Sequence, residues 1–397
     1  MKHTLFIVIL SISVFANAQN LDDILSQIEA NNTTLKALRQ QAEADKLENK
    51  TGLTPDNPEI SFGYLWGNPA DTGNELSYSI TQSFDFPTAY IHRSQVANAR
   101  NAQVMLHYEY QKRELLHEAR TIYINWVHYK KKAAQLTKRL QQAEELFAAY
   151  QKLLDMGETT MIEYNKTRLN RLSLEKTAQL NDVEIATFES ELKRLNGNND
   201  LIIGEAILQN SEHKTLNFEL GTLNFDTWFE NVKRSNPAFV FVEKEIEVSR
   251  QEEKLRVAEN LPKLSAGYYS EQLAGVRLQG IQAGISIPLW EGKNTIKQQK
   301  AKTAALQEQQ IDYELQFKNT LKNSYDKAQK LSRLLNEYSE MLAVTNNQQL
   351  LDKALQLGQL TLIDYLQELT VFYDILDQYL ETELEYNLAT AELKRWE

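Results

Sequence analysis

The chain has 397 residues, no cysteine, and 54 Asp and Glu against 43 Lys and Arg, for a net charge of −11. That acidic balance argues against a nucleic-acid partner, and the missing thiols exclude disulfides, thiolate metal sites and a lipid anchor on an amino-terminal cysteine. Mean hydropathy is −0.50, and no run of about 18 apolar residues follows Ala18, so membrane-spanning helices are excluded and only strands could meet a bilayer.

Residues 1–18 read as an export signal: Lys2 and His3 precede the apolar run from Leu5 to Val14, and Ala16-Asn17-Ala18 supplies a small-x-small cleavage site. The mature chain then begins at Gln19. A helix is expected over about 21–51, followed by strands at about 59–67 and 76–86. From Thr88 to Met156 there is neither proline nor glycine, which predicts one helix over about 88–156, a rod of about 100 Å at 1.5 Å per residue. Its apolar residues Leu136, Leu140, Ala143, Phe147, Tyr150 and Leu154 step by four and three, as in a coiled-coil seam. Gly157 can reverse the chain into a return helix over about 158–195. Residues 196–224, rich in Asn, are expected to form an equatorial belt.

The order then recurs. Helices are predicted at about 225–257, 293–357 and 359–396, with strands at about 262–272 and 278–288. Leu362, Leu366, Leu369, Tyr373, Leu376 and Leu380 carry the seam of the last helix, and Gly358 marks its turn. Pro58 lies 204 positions before Pro262, and Gly157 lies 201 before Gly358. Residues 19–195 and 225–397 therefore read as two structural repeats of one body.

The strands carry the functional signal. Phe62, Tyr64 and Trp66, then Tyr78, Ile80 and Phe84, then Ile281, Ile285 and Ile287 fall on alternate positions, with Ser, Thr, Gln and Gly between them. One face suits lipid and the other water, and about ten residues suit a tilted strand crossing about 25 Å of hydrocarbon. Four strands cannot close a barrel, and open edges in a bilayer leave backbone groups unpaired at several kcal/mol each. Three chains would supply twelve strands around a water-filled lumen. The fold class expected is mainly α with a small β part: long coiled-coil hairpins whose two repeats each give two strands to a trimeric 12-stranded transmembrane β-barrel, continued by an α-helical barrel.

The doubled order, the Pro-bounded strand pairs, Leu261-Pro262-Lys263-Leu264-Ser265, Met156-Gly157 and Leu357-Gly358-x-x-Thr361-x-Ile363-Asp364 together resemble the TolC family of outer membrane efflux proteins. The resemblance implies a homotrimeric channel-tunnel in outer membrane lipid that extends into the periplasm. It implies docking on a periplasmic adaptor (membrane fusion protein) and an inner-membrane pump of the RND type. By that likeness the adaptor-docking tips are Met156, Gly157, Glu158, Leu357, Gly358 and Gln359, and the periplasmic gate involves Asp364 with Glu163 as its counterpart. Gln367 stands where the family has a second acidic residue and Leu360 where a basic one is frequent.

No catalytic order of side chains stands out, so no enzyme activity or cofactor is expected. His107, His117 and His128 are ten and eleven apart, a spacing that cannot present a ligand pair on one helical turn, so no metal site is expected either. The competing reading is a periplasmic coiled-coil adaptor or structural spacer without a pore.

Overall fold

The computed structural model describes residues 21–69, 72–201, 224–344 and 348–396. The expected signal segment lies outside them, as do residues 202–223 of the expected belt. The elements in chain order are α1 (Leu21–Asn31), α2 (Thr33–Glu48), β1 (Glu59–Leu65), β2 (Glu75–Phe84), α3 (Pro87–Asp155), α4 (Met161–Leu195), α5 (Phe225–Ser235), α6 (Pro237–Glu259), β3 (Lys263–Leu273), β4 (Val276–Ser286), α7 (Thr295–Val344), α8 (Gln348–Gln356) and α9 (Leu362–Arg395).

Two predicted helices are each interrupted. The segment 21–51 breaks at Asn32, whose Oδ1 accepts the Leu35 N–H at 2.9 Å and so caps α2, while its Nδ2 donates to the Leu195 carbonyl at the end of α4 at 2.8 Å. The segment 225–257 breaks at Asn236, whose side chain accepts the Ala238 N–H, with Pro237 in the first helical turn. Both breaks have one cause: an Asn oxygen satisfies a helix-start N–H that an unbroken helix would have engaged. Helix α3 runs 69 residues without a break from Pro87, whose missing N–H costs nothing at a helix start. The predicted helix over 293–357 comprises α7 and α8, and 345–347 between them lie outside the described residues. The return helices begin at Met161 and Leu362, each three residues later than expected, because Thr160 and Thr361 are their N-caps.

The described residues form two compact units, one from those within 1–35, 112–225 and 321–397, the other from those within 36–111 and 226–320. In the first, Ile24, Leu25 and Ile28 of α1 pack with Ala119, Tyr123, Trp126 and Val127 of α3, Ile185 and Leu192 of α4, and Ala391 of α9. Towards the tips the predicted seam residues Leu136, Ala143, Leu362, Leu369 and Leu380 are buried. Charged side chains are tied to neighbouring helices: Arg139 grips Asp377 through two hydrogen bonds at 2.6 and 2.9 Å and lies over the Tyr373 ring, and Lys131 Nζ sits 2.8 Å from Glu383.

The second unit is built around Phe229, Phe239, Tyr313 and Phe317, with the Phe239 and Phe317 rings perpendicular at 4.6 Å. Beside them Gln299 of α7 reaches Ser249 and Glu252 of α6, and Arg100 of α3 meets Glu252 at 2.6 Å. This unit carries the single four-stranded antiparallel sheet among the described residues, in the order β1-β2-β3-β4. β3 runs through Glu271 to Leu273, one residue past its expected end, leaving a two-residue turn at Ala274 and Gly275 with φ of +47° and +88°, the left-handed pair that a tight hairpin requires.

Candidate functional site

The pairing register assigns every strand side chain to a face. Across the sheet Ile60, Ile80, Tyr268 and Ile281 stand in one row, Phe62, Tyr78, Ser270 and Gln279 in a second, and Phe84, Leu264 and Ile285 in a third. These rows share one face, since residues directly opposite in an antiparallel ladder project to the same side. The structure thus brings together Phe62, Tyr64, Tyr78, Ile80, Phe84, Ile281 and Ile285, while Trp66 and Ile287 lie just past the ends of β1 and β4. Their exposure is extreme for apolar side chains: Phe62 is 73% accessible, Trp66 79% and Ile281 93%.

The opposite face is hydroxylic and small. Ser61, Ser77, Ser79, Thr81, Ser83 and Ser265 lie there, and the Ser61 and Ser79 hydroxyls meet at 2.7 Å. Gly63, Gly267 and Gly284 belong to the same face, where an added Cβ would come within 2.7 Å of Ser77 Oγ, 2.5 Å of the Ile80 carbonyl and 2.6 Å of Ser265 Oγ respectively. At these three positions a side chain would force its neighbours to shift, whereas Gly280 on the same face has open space around it.

The sequence reading missed one feature. Near the β3–β4 turn the alternation changes phase, so that Ser270, Gln272, Arg277 and Gln279 lie on the otherwise apolar face, and Glu271, Leu273, Val276 and Leu278 on the other. Arg277 donates to Ser270 Oγ at 3.2 Å and caps the Tyr78 ring, and the Tyr268 hydroxyl donates to Gln279 at 2.9 Å. The signal stood in the run Val276-Arg277-Leu278-Gln279-Gly280-Ile281, where the spacing from Leu278 to Ile281 is odd. At the opposite end of the sheet Asp85 is held by Arg93 at 2.5 Å, with Glu259 and Lys263 close by.

The two helical tips, both in the first unit, are built alike. Gly157 and Gly358 adopt φ of +76° and +70°. Glu158 N–H bonds the Leu153 carbonyl and Gly157 N–H the Leu154 carbonyl; Gln359 and Gly358 do the same to Ala354 and Leu355. This double bond pattern closes a helix end with a left-handed glycine. Met156 and Leu357 are each 62% accessible, and Glu158 and Gln359 are exposed beside them.

The two candidate gate carboxylates occupy matching places. Glu163 accepts the Thr160 N–H and the Thr159 hydroxyl, and Thr160 Oγ1 accepts the Glu163 N–H, forming a capping box. The Thr159 bond, then the Thr160 N–H, hold the Glu163 carboxyl below its ordinary range. Asp364 accepts the Thr361 hydroxyl at 2.6 Å, and its N–H bonds Thr361 Oγ1. Within one chain both carboxylates serve as helix starts, where they also oppose the helix dipole favourably. Among the described residues no group of three or more His, Asp or Glu could hold a metal ion, and no helix is long and apolar enough to cross a membrane.

No protein-family model and no curated protein sequence matches this chain. Comparison with solved structures is decisive for the fold. The chain superimposes on a membrane protein from Pseudomonas aeruginosa with a TM-score of 0.77 at 12% identity, over 95% of this chain and 92% of that one. It superimposes on the CmeC outer membrane channel of Campylobacter jejuni at 0.73 with 14% identity, over 95% and 85%. For the outer membrane protein VceC of Vibrio cholerae the score is 0.71 at 12% identity, over 95% and 94%. The chain therefore has the TolC-type fold of outer membrane efflux channels, the fold that its sequence resembles.

Proposed function

We propose that this chain is the outer membrane channel of a tripartite efflux or secretion system, a passive homotrimeric duct from periplasm to exterior. One observation carries the reading: an open four-stranded sheet with an exposed aromatic and aliphatic face, a hydroxyl-rich face, and β1 and β4 as edges. Water is the wrong solvent for the first face. Lipid is the wrong solvent for unpaired edges. Three copies joined edge to edge satisfy both, with Phe62, Tyr78, Ile80, Phe84, Ile281 and Ile285 toward lipid and Ser61, Ser79 and Thr81 toward the lumen of a 12-stranded barrel. Arg277, Gln279 and Ser270 then lie beyond the hydrocarbon at the external rim, where a polar outer face costs little. The two halves act as structural repeats, and their helices continue the barrel into the periplasm. A spacer without a pore offers no role for Ile281 at 93% exposure.

The tips at Met156, Gly157, Glu158, Leu357, Gly358 and Gln359 meet a periplasmic adaptor that couples the duct to an inner-membrane pump of the RND type. Glu163 and Asp364 place carboxylates beside the tips, where a ring of three would narrow the opening and favour cations. Reconstitution into planar bilayers tests the duct: stepwise conductance from a species that runs as a heat-modifiable trimer is expected. A water-soluble monomer without conductance would overturn the reading. Asp364→Asn, which keeps an acceptor for Thr361, is expected to raise closed-state current; an unchanged current removes Asp364 from the gate.

A further inference from the structure

In the first unit the long helices lie side by side in the order α4, α3, α9, α7. Asn181 of α4 donates to the Tyr129 carbonyl of α3 at 3.0 Å, Lys131 of α3 meets Glu383 of α9 at 2.8 Å, and Lys327 of α7 meets Glu385 of α9 at 3.0 Å. Helices α4 and α7 are thus the two flanks of this row, and each turns an unusual stripe outward. On α4 it comprises Leu169, Leu172, Lys176, Leu180 and Val183, opposite the face that buries Thr167, Asn181 and Ile185. On α7 it comprises Lys330, Leu334, Glu337, Met341 and Val344. Leu169 is 66% accessible, Leu180 58% and Val344 82%. Each stripe is spaced by threes and fours, the period of a helix-packing seam.

The stripes are complementary when run antiparallel. Leu169 falls opposite Val344, Leu172 opposite Met341, Lys176 opposite Glu337 and Leu180 opposite Leu334; Lys330 then falls beside Asp182, Val183 and Glu184. Each flank carries one charge inside the apolar part of its stripe, of opposite sign and in matching position. Lys176, Glu337 and Lys330 make no ion pair or hydrogen bond among the described residues, although cationic side chains nearby, such as Lys131, Lys327 and Arg139, are paired.

The heights along the unit agree independently. Phe147 of α3 packs on Tyr164 of α4, Gln142 of α3 meets Tyr373 of α9, and Tyr338 of α7 donates its hydroxyl to Gln378 of α9. Followed across the antiparallel helices, these contacts set Leu169 of α4 level with Ala343 of α7, one residue from Val344. The contacts at Asn181, described above, set it level with Lys327, within about a turn and a half of the same register.

We propose that α4 of one copy packs antiparallel on α7 of the next through these stripes, with Lys176 paired to Glu337 across the seam. This rests on the homotrimeric reading above and adds to it the interface, its register and its ion pair. An ion pair at one place in an otherwise apolar seam contributes more to register than to affinity, because shifting by one helical turn sets each charge against a leucine or methionine. A copy approaching through two like flanks would set Lys176 against Lys176, so the charges also exclude that arrangement.

The absence of native cysteine makes the test direct. Lys176→Cys with Glu337→Cys in the full chain is expected, on mild oxidation in outer membrane or detergent, to give covalent dimers and trimers on denaturing gels, while either single variant gives none. An intrachain bridge is impossible: α3 and α9 stand between the flanks, which at about 9 Å per helix separates the two positions by roughly 27 Å, far beyond the ~7 Å that a disulfide tolerates. Crosslinking by Lys176→Cys alone would overturn the seam. No covalent species from a protein that still sediments as a trimer would overturn the seam and leave the channel standing; a monomer without covalent species would overturn both. As a second measurement, Lys176→Glu or Glu337→Lys is expected to lower the temperature at which the oligomer dissociates in detergent, and the double reversal to restore it. Additive losses in the double variant would count against the pair.

Discussion

At the scale of single residues, Glu392 and His128 of the first unit sit in environments whose push on their titration matters at acid pH. Glu392 is partly buried, which alone would raise its carboxyl, but hydrogen bonds from His117 and Trp396 and the charge of Arg395 outweigh burial and hold it at about 2. A carboxylate depressed on folding contributes stability that is complete above its ordinary value of 4.5 and is lost as pH falls from there toward about 2. Glu392→Gln is expected to lose about 2 kcal/mol near neutrality, the scale of charge-assisted hydrogen bonds, and to show a flatter stability profile below pH 4.5 in thermal denaturation. A variant whose acid limb parallels the parent's would show that the cluster contributes nothing. His128 acts at a higher pH: burial lowers its pKa despite Glu381 nearby, so the neutral ring is the folded form and stability falls as pH drops below 6.5.

At the scale of elements, helix ends do most of the organising, and their strength depends on what else they touch. Asn32 caps α2 and also supplies a donor to the last carbonyl of α4 while itself 3% accessible. Thr160 caps α4 at an exposed tip. Asn32→Ala is expected to cost about 2 to 3 kcal/mol, a lost cap plus an unsatisfied buried carbonyl, and Thr160→Ala about 1 kcal/mol. Chemical denaturation of the two variants checks the order, and equal losses would show that the Leu195 carbonyl finds another donor. Asn236, which lies 204 positions after Asn32, breaks its helix in the same way. That offset equals the one between Pro58 and Pro262, so the interruptions keep the spacing from which the two repeats are inferred.

At the scale of the whole molecule, the sheet's two faces predict opposite responses to the same charge. Ile281→Arg places a cation among Ile60, Ile80 and Tyr268; in a bilayer it is expected to cost about 2 to 4 kcal/mol and to reduce the heat-modifiable trimer in the outer membrane. Thr81→Arg, one row away on the hydroxylic face, is expected to leave trimer yield near normal and to shift conductance and ion selectivity. Equal trimer yields from both variants would mean that Ile281 does not meet hydrocarbon.

How much of this was legible in the sequence depends on the range of the physics involved. The Gly157 and Gly358 turns, the Pro87 start and the alternation in β1 and β2 are local: a positive φ, a missing N–H and a period of two are properties of a few consecutive residues. The breaks at Asn32 and Asn236 were equally local, and Asn236-Pro237 is an ordinary helix-start pair, but the helical periodicity around them conceals so short an interruption. The phase change at Arg277 and Leu278 is visible in the letters, yet its meaning depends on Ser270 and Tyr78 lying across the ladder. Composition, turn chemistry and periodicity thus determined the kind of elements and their order, because those follow from neighbours in the chain. Which helices became flanks, at what relative height Lys176 and Glu337 stand, and whether a carboxylate at a tip caps its own helix were decided by the tertiary structure alone, because each depends on contacts between residues tens to hundreds of positions apart.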